Sequence, residues 1–410
     1  MNPYQTKITL LSPICIAQKR GAGNVIETLD YIPGSTIRGA LAALYIQQNG
    51  TDADFYQIFN SDNARFGNCY PEGARVIPFT ATSCKYCSGF WTGRLGDDKH
   101  GVLDILPEIA KYEVKQDKIA DEFENCEHCG SVMDRFSGYY QQTVSGDFVV
   151  VKATKRLIAR TAIMDTLETA LPATLYTLEV LNEKKPQNKV FVPQAFIGEF
   201  ETNKPDWFET LKDLLSKHGN QVRIGIAKSR GLGEIKIELD DSPSAWQVWE
   251  IPIAERLEKL NQQLGALGGY FFSMTFHTDA ILLDEILRFK STMETRDLVE
   301  TLRNSSFPIA HDDLKLFEKT ISQFQHHRNW LSTHSVSGWN IALKLPKEEA
   351  VAISKGSVFL FHNDRPLSEV ENTNLTQMLG SIEQTGIGER RNEGFGKIRI
   401  CDEFHLQVSK

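Results

Sequence analysis

Four cysteines stand in two equal spacings, Cys84-Lys85-Tyr86-Cys87 and Cys126-Glu127-His128-Cys129. A C-x-x-C turn closes two thiolates onto one ion, and two such turns complete a tetrahedron. The 38 residues between the pairs exceed the spacing of a compact zinc ribbon. They predict an inserted subdomain over 80–135 whose fold a structural zinc supports. Four thiolates leave no place for a catalytic water. Unligated thiols or redox pairs are the alternatives that the spacing leaves open. Cys15, Cys69 and Cys401 are solitary, and Cys15 falls in a strand pattern that suits a core position.

A second kind of chemistry is written in glycine and cations. "GIAKSRGLGEIKI" begins at Gly225, and "GERRNEGFGKIRI" begins at Gly388, 163 positions later. Without a gap, Lys228 falls opposite Arg391, Gly231 opposite Gly394 and Gly233 opposite Gly396. Glycine leaves the backbone bare, so an anion can approach its amides. Lys228, Arg230, Arg390 and Arg391 would add charge-assisted contacts. Another basic run, "KATKRLIAR", holds Lys152, Lys155, Arg156 and Arg160 and no acid. The stretch after it, 160–181, mixes Thr and Tyr with apolar residues and reads as a hairpin or loop entering a strand. Such side chains suit contacts to RNA backbone and bases.

The elements that position these residues follow from periodicity. In "YIPGSTIRGALAALYIQQ", Ser35 is a good N-cap, and Ile37, Leu41, Leu44 and Tyr45 form one stripe of a helix over 35–48. Arg38 then lies in the first turn, where a bound anion would meet both it and free amides near Gly34 and Gly39. Each glycine loop follows a helical stretch, 205–219 or 368–386, and runs into alternating isoleucine and charge, a half-buried strand. Opening strands are expected at 7–17 and 270–283. The unit is β-α-β-β-α-β, used twice. The expected architecture is α+β, with two tandem ferredoxin-like (RRM-like) domains: 1–240, carrying the zinc-binding insertion with its four cysteines, and 270–410. A linker at 241–269 joins them.

Composition narrows the function classes. The 410 residues are 41% hydrophobic and 24% charged, as in an ordinary globular chain. A net charge of −8 confines any nucleic-acid site to a local basic cluster. No apolar run reaches the ~18 residues of a membrane span, and the N-terminal stretch alternates like a strand, so the expected location is cytoplasmic, without membrane contact. No Walker A or Rossmann fingerprint is spelled out. Only weak catalytic candidates appear: His326 and His327 as bases for attack by a 2′-OH, and Asp30 beside the Pro33-Gly34 turn.

The stretch 31–45 resembles the helix-one signature of the RAMP superfamily of CRISPR-associated proteins. The two glycine segments resemble that superfamily's glycine-rich loop. "VSGWNIALKLP" (336–346) and "KGSVFLF" (355–361) resemble one subgroup, the Csx-type RAMP protein of subtype III-D effector complexes. The resemblance implies a crRNA-binding structural subunit of a type III interference complex, an antiviral ribonucleoprotein. It would grip the 5′ handle of the guide and cap the backbone filament. Its partners would be crRNA, the large polymerase-like subunit, the backbone RAMP subunits and, indirectly, target RNA. The loop residues carried over are Gly231, Gly233, Gly394 and Gly396; those of helix one are Gly34, Ser35, Arg38 and Gly39. Tyr31 and Phe395 are candidates for holding unstacked bases. The competing readings are a RAMP endoribonuclease cutting precursor crRNA or target RNA, and a zinc-ribbon scaffold whose glycine loops are only turns.

Overall fold

Inward-facing Tyr4, Thr6, Ile8 and Leu10 make Asn2–Leu10 (β1) a strand with one buried face. It anchors the first main sheet of the computed structural model, which describes residues 1–17, 24–91, 98–115, 121–143, 145–164, 169–170, 174–187, 189–241, 251–305, 309–340 and 345–407. After β1 come helix α1 (Gly34–Asn49) and strands β2 (Ala64–Phe66) and β3 (Ala195–Thr202). Helix α2 (Pro205–Lys217) and strand β4 (Glu234–Asp240) follow. The strands stand side by side as β4-β1-β3-β2, all antiparallel, with Gln221–Arg223 added outside β4. Ile37, Leu41 and Tyr45 of α1 and Trp207, Phe208, Leu211, Leu214 and Leu215 of α2 fill the core against the sheet.

A second main sheet repeats that order. Helix α3 (Ile253–Leu264) precedes strand β5 (Tyr270–Phe276). Helices α4 (Thr295–Arg303) and α5 (His311–Ile321) lead to strands β6 (Gln325–Trp330) and β7 (Val358–Asn363). Helix α6 (Glu369–Thr385), strand β8 (Ile398–Ile400) and the short helix α7 (Glu403–Gln407) close the chain. The sheet reads β8-β5-β7-β6, again antiparallel. The α+β class and the helical stretches at 35–48, 205–219 and 368–386 are therefore present. Arg256 of α3, almost fully buried, donates to Glu383 of α6 at 2.9 Å and to the Ile400 carbonyl of β8.

Contacts divide the chain into two units. The first comprises Met1–Ala74, Lys152–Trp249 and Asn392–Gly394; the second comprises Arg75–Val151, Glu250–Arg391 and Phe395–Lys410. The cysteine-bearing insertion thus groups with the second unit, not with the half in which the sequence carries it. Packing supplies the reason: Leu106 and Ala110 join the core of β5 and β7, and the Phe79 amide donates to the Gly356 carbonyl at 2.7 Å. Parts of the expected linker (242–250), of the 160–181 stretch (165–168 and 171–173) and of the 336–346 stretch (341–344) lie outside the described residues.

The two glycine segments adopt one backbone. Ala227 and Arg390, at matching positions, are both left-handed, with φ of 56° and 57°. A single 3-10 turn follows each, Lys228–Arg230 and Arg391–Glu393, and Gly231 (φ 81°) and Gly394 (φ 91°) end them. The Ile224 amide donates to the Gly233 carbonyl at 2.9 Å, and the Ile387 amide to the Gly396 carbonyl at 2.8 Å. A Cβ on Gly233 would stand 2.1 Å from the Ile224 oxygen, and one on Gly396 1.8 Å from the Ile387 oxygen. A Cβ on Gly231 meets nothing within 4 Å. Gly231→Ala should therefore cost only the left-handed backbone, about 1 kcal/mol. Gly233→Ala or Gly396→Ala adds a backbone collision and should cost about 3 kcal/mol or more. Urea-denaturation midpoints of the three variants check the ranking.

Candidate nucleic-acid interface

The first glycine loop is open. Lys228, Ser229, Arg230 and Gly231 are all exposed. Beneath them, Leu232 is buried with Cys15, Leu178 and Val180, and Ile158 and Tyr176 pack against that cluster. Leu178, Val180 and Tyr176 belong to the strand Tyr176–Leu181, and Ile158 to its antiparallel neighbour Lys155–Arg160. The hydrophobic seat of the loop thus places the end of the basic run beside it. Arg160 lies opposite Tyr176 in the ladder, and its Nη2 donates to the Arg230 carbonyl at 3.3 Å. Arg230 Nη1 donates to Tyr176 Oη at 2.5 Å, and Arg223 Nη1 donates to the Lys228 carbonyl at 3.1 Å.

Charge balance distinguishes members of the run. Among the described residues, no carboxylate lies within 4 Å of Arg160, Lys228 or Arg230. Lys155 instead pairs with Glu179 at 3.1 Å and donates to the Thr28 carbonyl, and Arg156 lies 3.4 Å from Glu183. Arg223 has Glu234 at 3.7 Å. Lys152 is exposed. What gathers at the loop is Arg160, Lys228, Arg230 and the half-buried ring of Tyr176. Their chemistry is that of a site for phosphate with a neighbouring aromatic face. Arg223 gave no sequence signal of its own. Tyr176 sat in a Thr-rich stretch, but only the strand register sets it against Arg160.

The second loop differs in exposure, not in backbone. Glu393 and Gly394 are buried, and Arg390 and Arg391 are half-buried. A Cβ on Gly394 would lie 2.8 Å from Asn68 Oδ1, which already accepts the Gly34 amide at 2.8 Å. Phe395 packs on Ile281, Ala350 and Ala352, with the Arg390 guanidinium 5.0 Å from its ring centre. Tyr31 is buried beside Tyr70. Tyr31 is thus less exposed than Tyr176, and Phe395 is half-buried as Tyr176 is.

Helix one also departs from expectation. It begins at Gly34 behind Pro33, and Ser35 makes no cap hydrogen bond; Asn68 takes the Gly34 amide in its place. Gly34 has no room for a Cβ, which would sit 1.8 Å from the Phe66 oxygen, whereas Gly39 is open. Arg38 is engaged by groups of the protein itself. Its Nε donates to the Phe59 carbonyl at 2.6 Å, Nη2 to Asn60 and Nη1 to Glu393. It therefore caps the C-terminal end of the helix Ala53–Phe59, where a cation is favoured.

The cysteines assemble, with one exchange. Cys84, Cys126, Cys129 and His100 bring their ligand atoms within 4.8 Å of one another, a group able to hold a metal ion. Cys87 is outside that group, and His100 stands in it where the C-x-x-C spacing predicts Cys87. Hydrogen bonds from Ser131, first its hydroxyl and then its amide, pull the Cys129 thiol down to about 6.

The weak catalytic candidates divide between the two units. His326 is exposed on β6 beside the rings of Phe359 and Phe361, His327 neighbours His362, and Asp30 belongs to the other unit. A hydroxyl–imidazole–carboxylate chain does occur elsewhere. His405 Nε2 is 3.1 Å from Thr275 Oγ1, and its Nδ1 is 2.7 Å from Asp104 Oδ2. Thr275 is 0% and His405 1% exposed, so no substrate reaches them. The chain is a clamp between the insertion, α7 and β5.

Residues 7–236 match the model of the family described as the RAMP superfamily. No curated protein matches the sequence. Among solved structures, the chain is similar to one in a cryo-EM structure of the type III-B Cmr-beta bound to cognate target RNA. The identity is 12%, over 91% of this chain and 93% of that one, with a TM-score of 0.39. A chain from the same assembly with cognate target RNA and AMPPnP is 14% identical over 87% and 86%, with a TM-score of 0.37. Cas6 of Thermus thermophilus is 12% identical over 50% of this chain and 74% of its own, with a TM-score of 0.29.

Proposed function

The chain belongs to the RAMP superfamily, and from that premise we propose that it is an RNA-binding subunit of a CRISPR ribonucleoprotein. The observation that carries the reading is the open loop at Lys228–Gly231, seated beside Arg160 and Tyr176 with no carboxylate within 4 Å of its cations among the described residues. Phosphate oxygens of a guide strand meet Lys228, Arg230, Arg160 and the bare backbone at Gly231. Tyr176 offers a ring face to an adjoining base. Contacts of this kind give affinity and register rather than sequence reading.

In the finer form of this proposal, the two main sheets are two RAMP domains in tandem. The guide segment held is the repeat-derived 5′ handle, in a type III complex of the III-D kind. Motifs 31–45, 225–237, 388–400, 336–346 and 355–361 support that form. The Cys/His group holds a structural zinc ion, which orders the insertion rather than the RNA.

Co-purification with its partners, followed by sequencing of the 5′ ends of the retained RNA, tests both levels. One uniform repeat-derived 5′ end is expected. RNA with random ends sinks the handle assignment. Absence of RNA at low salt sinks the binding proposal itself.

A further inference from the structure

We propose that the ion in the insertion is held by three thiolates and one imidazole, Cys84, Cys126, Cys129 and His100, and that Cys87 stands off the metal as a free, modifiable thiol. The inference rests on the reading that this group holds zinc, and it alters the ligand set that the two C-x-x-C spacings imply.

Geometry selects the set. In a tetrahedral site with bonds of about 2.3 Å to sulfur and 2.0–2.1 Å to nitrogen, a sulfur–sulfur edge is about 3.8 Å and a sulfur–nitrogen edge about 3.6 Å. Cys84 and Cys129 Sγ are 3.6 Å apart, and Cys126 Sγ is 3.3 Å from His100 Nδ1. Both are tetrahedral edges, slightly contracted. Cys87 Sγ does not share the 4.8 Å envelope of the four.

The backbone explains why a histidine distant in sequence takes the vertex. The His100 amide donates to the Cys87 carbonyl at 3.0 Å, and Gly89 bridges to Gly101. Chain entering at Cys87 is thereby paired with chain leaving at His100. Gly101, at φ 91°, lets that return turn into the strand Val102–Asp104 beside Ala81–Cys84. Cys84 itself ends a strand, paired with Met133, which fixes its direction. The other knuckle is a tight turn, with the Cys126 amide on the Ser131 carbonyl and the Gly130 amide on the Cys126 carbonyl, both at 2.7 Å. Three separate segments thus meet at one ion, and the pairing that delivers His100 leaves Cys87 at the half-exposed margin.

The test uses the full chain purified from zinc-supplemented cells. Metal content by mass spectrometry should give one zinc per chain. Zinc-edge X-ray absorption should give three sulfurs at about 2.3 Å and one nitrogen at about 2.0–2.1 Å. Cys87→Ser should keep its zinc and its absorption spectrum, and should lose the one thiol that a maleimide labels in the native protein. His100→Ala should lose the nitrogen shell and bind zinc about tenfold or more weakly against a chromophoric chelator. A four-sulfur shell in the wild type, or loss of zinc in Cys87→Ser, overturns the ligand set and leaves the zinc reading standing. A wild-type chain without zinc overturns the reading beneath it.

Discussion

Replacing Arg160 and Arg230 together by glutamate should, on the proposed function, weaken RNA binding by about 100-fold or more at near-physiological salt. A charge-assisted contact contributes about 1.5–3 kcal/mol, so losing two removes about 3–6 kcal/mol, and every 1.4 kcal/mol is tenfold. The pair is chosen because Arg160 holds the Arg230 carbonyl while Arg230 holds Tyr176, so the double change also releases the aromatic ring. Single-stranded binding loses affinity with salt at a slope of about −0.7 per phosphate neutralised. The variant's slope should be shallower by about 1.4. The contrasting pair is Lys155→Met with Arg156→Gln. Those cations already face Glu179 and Glu183, and their removal should change affinity by no more than about threefold, as expected for screened surface pairs. Filter binding of guide RNA across a salt series reads all three quantities. Equal losses in the two double variants would mean that overall charge, not the loop, holds the strand.

The contrast between these pairs marks what the residues disclosed before any fold was known. Glycine at positions 163 apart predicted one backbone used twice, and Ala227 and Arg390 share even the left-handed twist. That correspondence was legible because φ > 0 and close carbonyl approach restrict residue type locally. Whether a loop faces solvent is decided by what packs on it, and identical motifs diverge there: Gly231 is open, while Gly394 meets Asn68. Arg38 shows the same dependence on packing. Its position in the first turn suggested an anion, but the Phe59 carbonyl and Asn60 come from a neighbouring helix that local spacing does not reveal. Cys84, Cys126 and Cys129 were legible from spacing. His100 was not, because it arrives by strand pairing. The insertion's grouping with the second unit depends likewise on Leu106, Ala110 and Asp104 finding partners far along the chain, His405 among them.

One of those partnerships sets the second large effect. Asp104→Asn should lower the melting temperature by roughly 10 °C at pH 6, because breaking a buried ion pair costs about 3–5 kcal/mol and each kcal/mol is worth about 2–4 °C in a unit of this size. Burial alone would push the His405 imidazole down in pKa. The Asp104 carboxylate at 2.7 Å, with Asp402 and Glu403 nearby, outweighs burial and raises it. A raised folded value means that this contribution is fully present below the unfolded value of about 6.5 and is lost as pH climbs through the folded one. Burial would likewise raise Asp402, but the His277 imidazole at 2.5 Å more than reverses it. That contribution is present above the unfolded carboxylate value of about 3.9 and fades as pH falls through the lowered one. Both contributions coexist between about pH 4 and 6.5. In Asp104→Asn the imidazole loses its principal counter-charge, so the deficit should be larger at pH 6 than at pH 9. Thermal unfolding of both proteins at the two pH values decides the matter. Equal deficits would show that His405 keeps one protonation state across that range.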